Sequence, residues 1–182
     1  FIDCAIHPSW SISMLMSGVS TSPANFKGMP PFRRDRPRAA ADWGFLKKLR
    51  NSWKGNLIVK GVLDPKDARK IKDLGIDAVY VSGHGARQLD SLPAPITQLP
   101  KIRKAVGKSY PLIFDTGVRN GEDVVKAYAS GANFVMLGRP ILYALGADGE
   151  RGLKTIIHYI SKEIQVTLAQ IGLGKISEVN EN

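Results

Sequence analysis

The chain reads as an α/β protein built on parallel strands, and three observations predict this. Four apolar runs of strand length recur between Leu57 and Leu137, each followed by a stretch of helical spacing. The runs are continuously apolar rather than alternating, which predicts strands buried on both faces between helices. Lys60, Ser82, His84, Asp115, Gly138 and Arg139 all fall at or just past the C-terminal ends of these runs. Both (β/α)8 barrels and doubly wound open sheets carry their chemistry at that end, so the spacing alone leaves both architectures open.

Residues 1–20 predict a short helix opened by Pro8, with Trp10, Ile12, Met14 and Leu15 as its apolar material and Gly18 as its stop. Residues 21–41 are rich in Ser, Pro, Gly and Arg and read as a loop. Asp42 is placed to cap a helix reaching about Trp53, with Trp43, Leu46, Leu49 and Trp53 at helical spacing. The first strand is Leu57–Lys60. Asp64-Pro65 then opens a helix, with Asp as N-cap and Pro in the first turn, and Gly75 closes it. The second strand, Ala78–Val81, leads through a glycine-bounded loop to a helix over about 96–106. The third strand, Leu112–Asp115, leads to a helix over about 122–130 that Gly131 ends. The fourth, Phe134–Leu137, is followed by a short helix over 140–145 and a longer one over about 150–171. The expected organisation is one partial domain over 1–182, with a helix and basic loop insertion over 1–41 and the strand-helix array over 42–182.

With 182 residues, 43% of them hydrophobic, the chain has an ordinary globular composition. Its single cysteine, Cys4, excludes an internal disulfide, and a reducing compartment is natural. The start at Phe1 shows no signal-peptide pattern, so the expected location is the cytoplasm. The most apolar run, Ile12–Val19, is too short to span a bilayer and contains Ser13, Ser17 and Gly18. The net charge is +10, and residues 27–54 hold nine basic groups against Asp35 and Asp42. This segment reads as a solvated basic loop, or as a surface for acidic lipid at the inner membrane face. Nucleic acid is not an expected partner, because no aromatics alternate with the basic residues as a stacking surface requires. No Cys/His cluster has metal-ligand spacing, so no metal is expected.

The chemistry concentrates in three loops. In Asp115-Thr116-Gly117-Val118-Arg119 and in Gly138-Arg139-Pro140, glycines allow close backbone approach and precede helix starts, where amides and the helix dipole favour an anion. Arg119 and Arg139 add donors suited to phosphate oxygens. Two ordinary turns with surface arginines are the competing reading. The third loop, Ser82 to Asp90, holds His84 and Arg87 three residues apart. A guanidinium clamps a carboxylate through two parallel hydrogen bonds. An imidazole beside it is suited to general-base work at neutral pH. Lys60 ends an apolar strand, where a lysine is expected to meet an anion or an electron-rich ring atom. His7 and His158 have no such context and read as structural.

These residues together resemble the FMN-dependent α-hydroxy-acid oxidases and dehydrogenases. The resemblance runs through His7-Pro8-Ser9-Trp10, Leu57 to Val62, the His84 loop, Leu99-Pro100, Asp115 to Arg119, and Gly131-Ala132 through Leu137 to Pro140. It implies FMN as cofactor and oxidation of an L-2-hydroxy acid to a 2-oxo acid. His84 is then the base and Arg87 binds the substrate carboxylate. Lys60 and Ser82 contact the flavin, and Asp115, Thr116, Gly117, Val118, Arg119, Gly138 and Arg139 hold the ribityl phosphate region. The motif departs from the family pattern at Gly83, where Asn is usual, and at Ala86 and Thr116, where Gly is usual. Other FMN-dependent barrels, such as an isomerase, and a non-catalytic phosphate- or flavin-binding half-barrel are the competing functions.

The family barrel has eight strands, and the resemblance matches this chain to strands 5–8, the C-terminal half of a TIM (β/α)8 barrel. The chain is therefore expected to be a fragment, inactive alone, that needs the missing N-terminal half or a second chain. Its small-molecule partner is the 2-hydroxy acid, and the completed protein is expected to form a homo-oligomer.

Overall fold

The structure, a computed structural model, describes residues 2–18 and 41–180. The expected loop, with Lys27, Arg33, Arg34, Arg36 and Arg38, lies outside the described residues. The chain divides into two units, Phe1–Asp42 and Trp43–Asn182. The first contains helices α1 (Ile2–Ile6) and α2 (Pro8–Met16). Pro8 sits in the first turn of α2 as expected, and Gly18 follows its end at φ +80°. The Ser11 hydroxyl donates to the Cys4 carbonyl at 2.6 Å, which ties the two helices together.

The second unit opens with α3 (Trp43–Ser52), which leads into a sheet of four strands: β1 (Ile58–Val62), β2 (Ala78–Val81), β3 (Leu112–Phe114) and β4 (Phe134–Val135). All neighbouring strands are parallel, and their spatial order is β1-β2-β3-β4. A doubly wound sheet reverses its order at a switch point. Here the order never reverses, as in a segment of barrel wall. The crossovers are α4 (Pro65–Asp73), α5 (Pro95–Val106) and α6 (Gly121–Ala129), and α7 (Arg139–Gln170) follows β4.

The local signals act as predicted. The Asp64 carboxylate accepts from the Lys66 and Asp67 amides at 2.6 and 3.3 Å, and Pro65 fills the first turn of α4. Asn120 caps α6 through the Asp123 amide at 2.9 Å. Gly131 follows that helix at φ +104° with its surface against Arg103, where a Cβ would lie 2.8 Å from the Arg103 Cγ. Arg103 itself donates to the carbonyls of Gly131, Gly107 and Tyr110 and to the Asn133 amide oxygen, joining the end of α5 to the entries of β3 and β4.

Two expectations need correction. The strands are not buried on both faces. Val79, Val81, Leu112 and Phe114 are buried beneath the helices and form the core with Ile71, Leu99, Ile102, Val124 and Ile160. The opposite face is open. Across it runs the register row Lys60, Tyr80, Ile113, Phe134, with Ile58 47% and Phe134 57% exposed. The continuous apolar runs therefore serve two surfaces, only one of which this chain covers. The second correction concerns lengths. β4 is shorter than expected and ends at Val135, while the short and the long helix expected after it are both present as two pieces of α7, meeting at a kink at Asp148 (φ −154°, ψ 30°) and Gly149 (φ 51°, ψ −132°).

β1 also carries a bulge. Lys60 pairs with Tyr80 and Val62 with Val81, so Gly61 is the extra residue, at φ +95°. The bulge keeps Val62 buried on the helix side while leaving Lys60 on the open side at the rim.

Candidate active site

The C-terminal ends of the four strands enclose a cavity of about 420 Å³, within the roughly 300–1,000 Å³ usual for small-molecule sites. Its walls contain Lys60, His84, Arg87, Asp115, Thr116, Gly117, Val118, Arg119, Gly138 and Arg139. Residues spread over some eighty positions of sequence thus converge on one rim. Ser82 does not line the cavity; it lies buried directly beneath.

Lys60 and Asp115 form the floor. The Lys60 ammonium donates to Asp115 Oδ2 and to the Ser82 hydroxyl, both at 2.8 Å, and stands 3.9 Å from the centre of the Tyr80 ring. Tyr80 donates its hydroxyl to the same Asp115 oxygen at 2.9 Å. Burial pushes the Asp115 carboxyl up, but the hydrogen bonds from Lys60, Ser82, Thr116 and Tyr80 outweigh it and hold it below the usual aspartate value. Burial and the Asp115 carboxylate together raise Tyr80 well above an ordinary phenol, so Tyr80 stays a donor.

The His84 loop folds as a single 3-10 turn, His84–Ala86, that was not expected from sequence. His84, Gly85 and Ala86 all lie at positive φ, at 53°, 66° and 63°. The imidazole rests on the backbone of Gly61: a Cβ built there would lie 2.6 Å from His84 Cε1. The bulge glycine therefore makes room for the histidine beside Lys60. Arg87 is exposed at the rim, and among the described residues it has no carboxylate partner.

The third wall combines glycines with arginines. Gly117 stands at φ +97° with open space where a Cβ would go, and the space at Gly138 is equally open. The Val118 side chain is buried and anchors the loop, while the Arg119 amide donates to Asp123 Oδ2 at 2.9 Å and leaves its guanidinium at the cavity. α7 begins at Arg139, so its first amides face this corner. Arg139 reaches across to the Gly85 carbonyl at 2.5 Å. The walls hold four cations, Lys60, Arg87, Arg119 and Arg139, against the single carboxylate of Asp115, so the cavity favours an anionic ligand.

Sequence reasoning missed Tyr80, Met136 and Leu142. Tyr80 lies two residues before Ser82, on the strand face that points to the rim, and strand alternation marks it. Met136 follows Phe134 by the same rule, and Leu142 lies one helical turn after Arg139.

A sequentially ordered parallel sheet, a corner lined by glycine and arginine at a helix start, and a histidine-arginine pair beside it are features that phosphate-anchored cofactor enzymes of the barrel class combine. The comparisons carry this further. Residues 1–182 match the FMN-dependent dehydrogenase family throughout, and the chain belongs to it. It is 45% identical to an L-lactate dehydrogenase of Caulobacter vibrioides over 139 residues, 76% of this chain and 36% of that protein. It is 42% identical to the peroxisomal (S)-2-hydroxyacid oxidase of Arabidopsis thaliana over 166 residues, 90% of this chain and 46% of that one. Among solved structures, a protein described as a lactate oxidase of Pediococcus acidilactici superposes with TM-score 0.72 at 40% identity, over 76% of this chain and 38% of that one. A mandelate oxidase variant holding a monooxide FMN adduct gives TM-score 0.73 at 33% identity, over 77% and 45%. The chain spans half or less of the length of these relatives. Among the described residues no helix is long and apolar enough to cross a membrane.

Proposed function

We propose that this chain is the C-terminal half of an FMN-dependent enzyme that oxidises an L-2-hydroxy acid to the 2-oxo acid. The observation that carries the reading is the convergence of His84, Arg87, Lys60 and the Arg119/Arg139 cradle on one cavity. The cavity fits a flavin nucleotide chemically. Its cradle has open glycine surfaces at Gly117 and Gly138 for close approach of a phosphate. Its floor holds a cation, Lys60, already oriented by Asp115 and Ser82.

Bound FMN supplies the two-electron acceptor. Arg119 and Arg139 would hold the phosphate through their guanidinium groups. Lys60, held in position by Asp115 and Ser82, would stabilise the negative charge that gathers on the flavin ring when it is reduced. Arg87 clamps the substrate carboxylate at the rim and thereby sets the α-carbon beside the imidazole. A ring nitrogen of His84 takes the proton that leaves the substrate. The L-lactate dehydrogenase and (S)-2-hydroxyacid oxidase relatives support a small 2-hydroxy acid as substrate. The open sheet face supports completion of the barrel by residues beyond these four strands.

The test is anaerobic reduction of flavin by L-lactate, glycolate or L-mandelate, followed by visible absorbance, in this chain joined to the N-terminal half of a relative. His84→Gln is expected to keep FMN bound and to slow reduction by about 10²-fold or more. Equal reduction rates with and without the imidazole would remove His84 as the base. Failure of the joined protein to take up FMN would remove the cradle.

A further inference from the structure

Thr116 occupies a conformation that a β-branched residue rarely adopts, φ +79°. Among the described residues the non-glycine positions at positive φ are His84, Ala86 and Thr116, and all three meet at one seam. Such strain persists where surrounding interactions over-determine it. At Thr116 these interactions are visible. Its hydroxyl donates to Asp115 Oδ1 at 2.8 Å and accepts from the Gly83 and Gly85 amides at 3.1 and 3.3 Å. The amide between them, that of His84, donates to the Ser82 hydroxyl at 3.1 Å. Three consecutive amides of the loop are thus held by two side-chain hydroxyls. Both hydroxyls also bind the Lys60–Asp115 pair, Ser82 through Lys60 and Thr116 through Asp115.

We propose that Thr116 is a positioning residue: its hydroxyl couples the His84 loop to the Lys60–Asp115 pair and so holds the imidazole over Gly61. It lines the cavity, and its hydroxyl is engaged by Asp115 and by the Gly83 and Gly85 amides. Its place in the chemistry rests on His84 being the base, whereas the coupling itself stands apart from that reading. Glycine at 116 would relieve the backbone and lose all three hydrogen bonds. Valine would keep the shape and lose the same three. Serine would keep the hydroxyl.

These variants separate positioning from stability. The experiment is amide hydrogen exchange and nuclear Overhauser contacts by NMR on this chain joined to the N-terminal half of a relative, without added ligand, comparing wild type with Thr116→Ser, Thr116→Val and Thr116→Gly. Exchange of the Gly83 and Gly85 amides is expected to rise about tenfold in the Val and Gly variants, as loss of one ordinary net hydrogen bond requires. It should stay near wild type in the Ser variant. The contact between the His84 Cε1 proton and the Gly61 α protons should persist in wild type and Ser and disappear in Val and Gly. Amides of Ile71 and Leu112 should exchange as before. Unchanged loop exchange in the Val variant would overturn the proposal, and so would an equal rise at Ile71 and Leu112, which would mark general destabilisation. Because no FMN or hydroxy acid enters the measurement, its outcome is independent of the flavin test above.

Discussion

Asp115 accepts from Lys60 and Tyr80 on one oxygen and from Thr116 on the other, so a single carboxylate organises the cavity floor. Its depressed pKa carries a pH dependence. A carboxyl held below its unfolded value contributes stability that is fully present above about pH 4 and is lost as the pH falls through the lower, folded-state value. Asp115→Asn is therefore expected to lower stability by about 1–3 kcal/mol at pH 6. That difference should shrink steadily as the solution is acidified below pH 4. Urea denaturation at a series of pH values checks this, and a difference independent of pH would contradict it. At this scale the sequence exposes residues whose chemistry is unusual for their context. His84 beside Arg87 and Lys60 at a strand end are visible in one dimension. Alternation along β2 places Tyr80 on the rim side, but what it and the Thr116 hydroxyl hold is not visible there, because their partners lie about 30 positions away.

Caps and stops made the elements legible. Asp64-Pro65, Gly75 and Gly131 mark helix boundaries through local backbone needs, and the structure uses each of them. The extent of β4 and the exposed register row were not legible, since ladder length and strand burial depend on neighbours that spacing does not reveal. The packing of α6 on α7 was hidden for the same reason. It turns on Gly121, where a Cβ would lie 2.5 Å from both the Glu163 Cβ and the Ile164 backbone nitrogen. The Gly121 amide also donates to Glu163 Oε2 at 2.8 Å. Gly121→Ala is expected to force these helices apart at a loss of about 1–3 kcal/mol. Thermal unfolding measures it, and a variant as stable as the parent would show that the contact relaxes freely.

The whole molecule presents a sheet with one finished face. Val79, Val81, Leu112 and Phe114 are sealed under helices, while Ile58, Phe134 and Met136 on the other side remain exposed, and β1 and β4 are both edge strands. Unpaired strand edges and exposed apolar area favour association. The chain alone is therefore expected to bind the apolar dye ANS strongly and to self-associate with rising concentration. Joining it to an N-terminal half should suppress both, as dye fluorescence and light scattering would record. Weak dye binding by the isolated chain would mean that this face is closed by some other route. The choice between barrel wall and open sheet was not legible from spacing, because the two use the same connection lengths. The unreversed order fits a barrel wall, and the likeness to the lactate and mandelate oxidase structures and the family match decide it.

The break at Asp148–Gly149 has a mechanical result. It divides α7 into a short forward piece bearing Arg139 and a long rear piece whose Ile160 is bedded in the core. A helix terminus acts on an anion mainly through its first turn, so the interruption forfeits little electrostatic pull. The two pieces touch at Gly152, where even a methyl group would lie 2.0 Å from the Ala144 carbonyl oxygen. That close backbone contact fixes the angle between the two pieces, so a side chain at Gly152 would shift the forward piece and with it the aim of the Arg139 guanidinium, while the rear piece keeps its grip on the body of the protein.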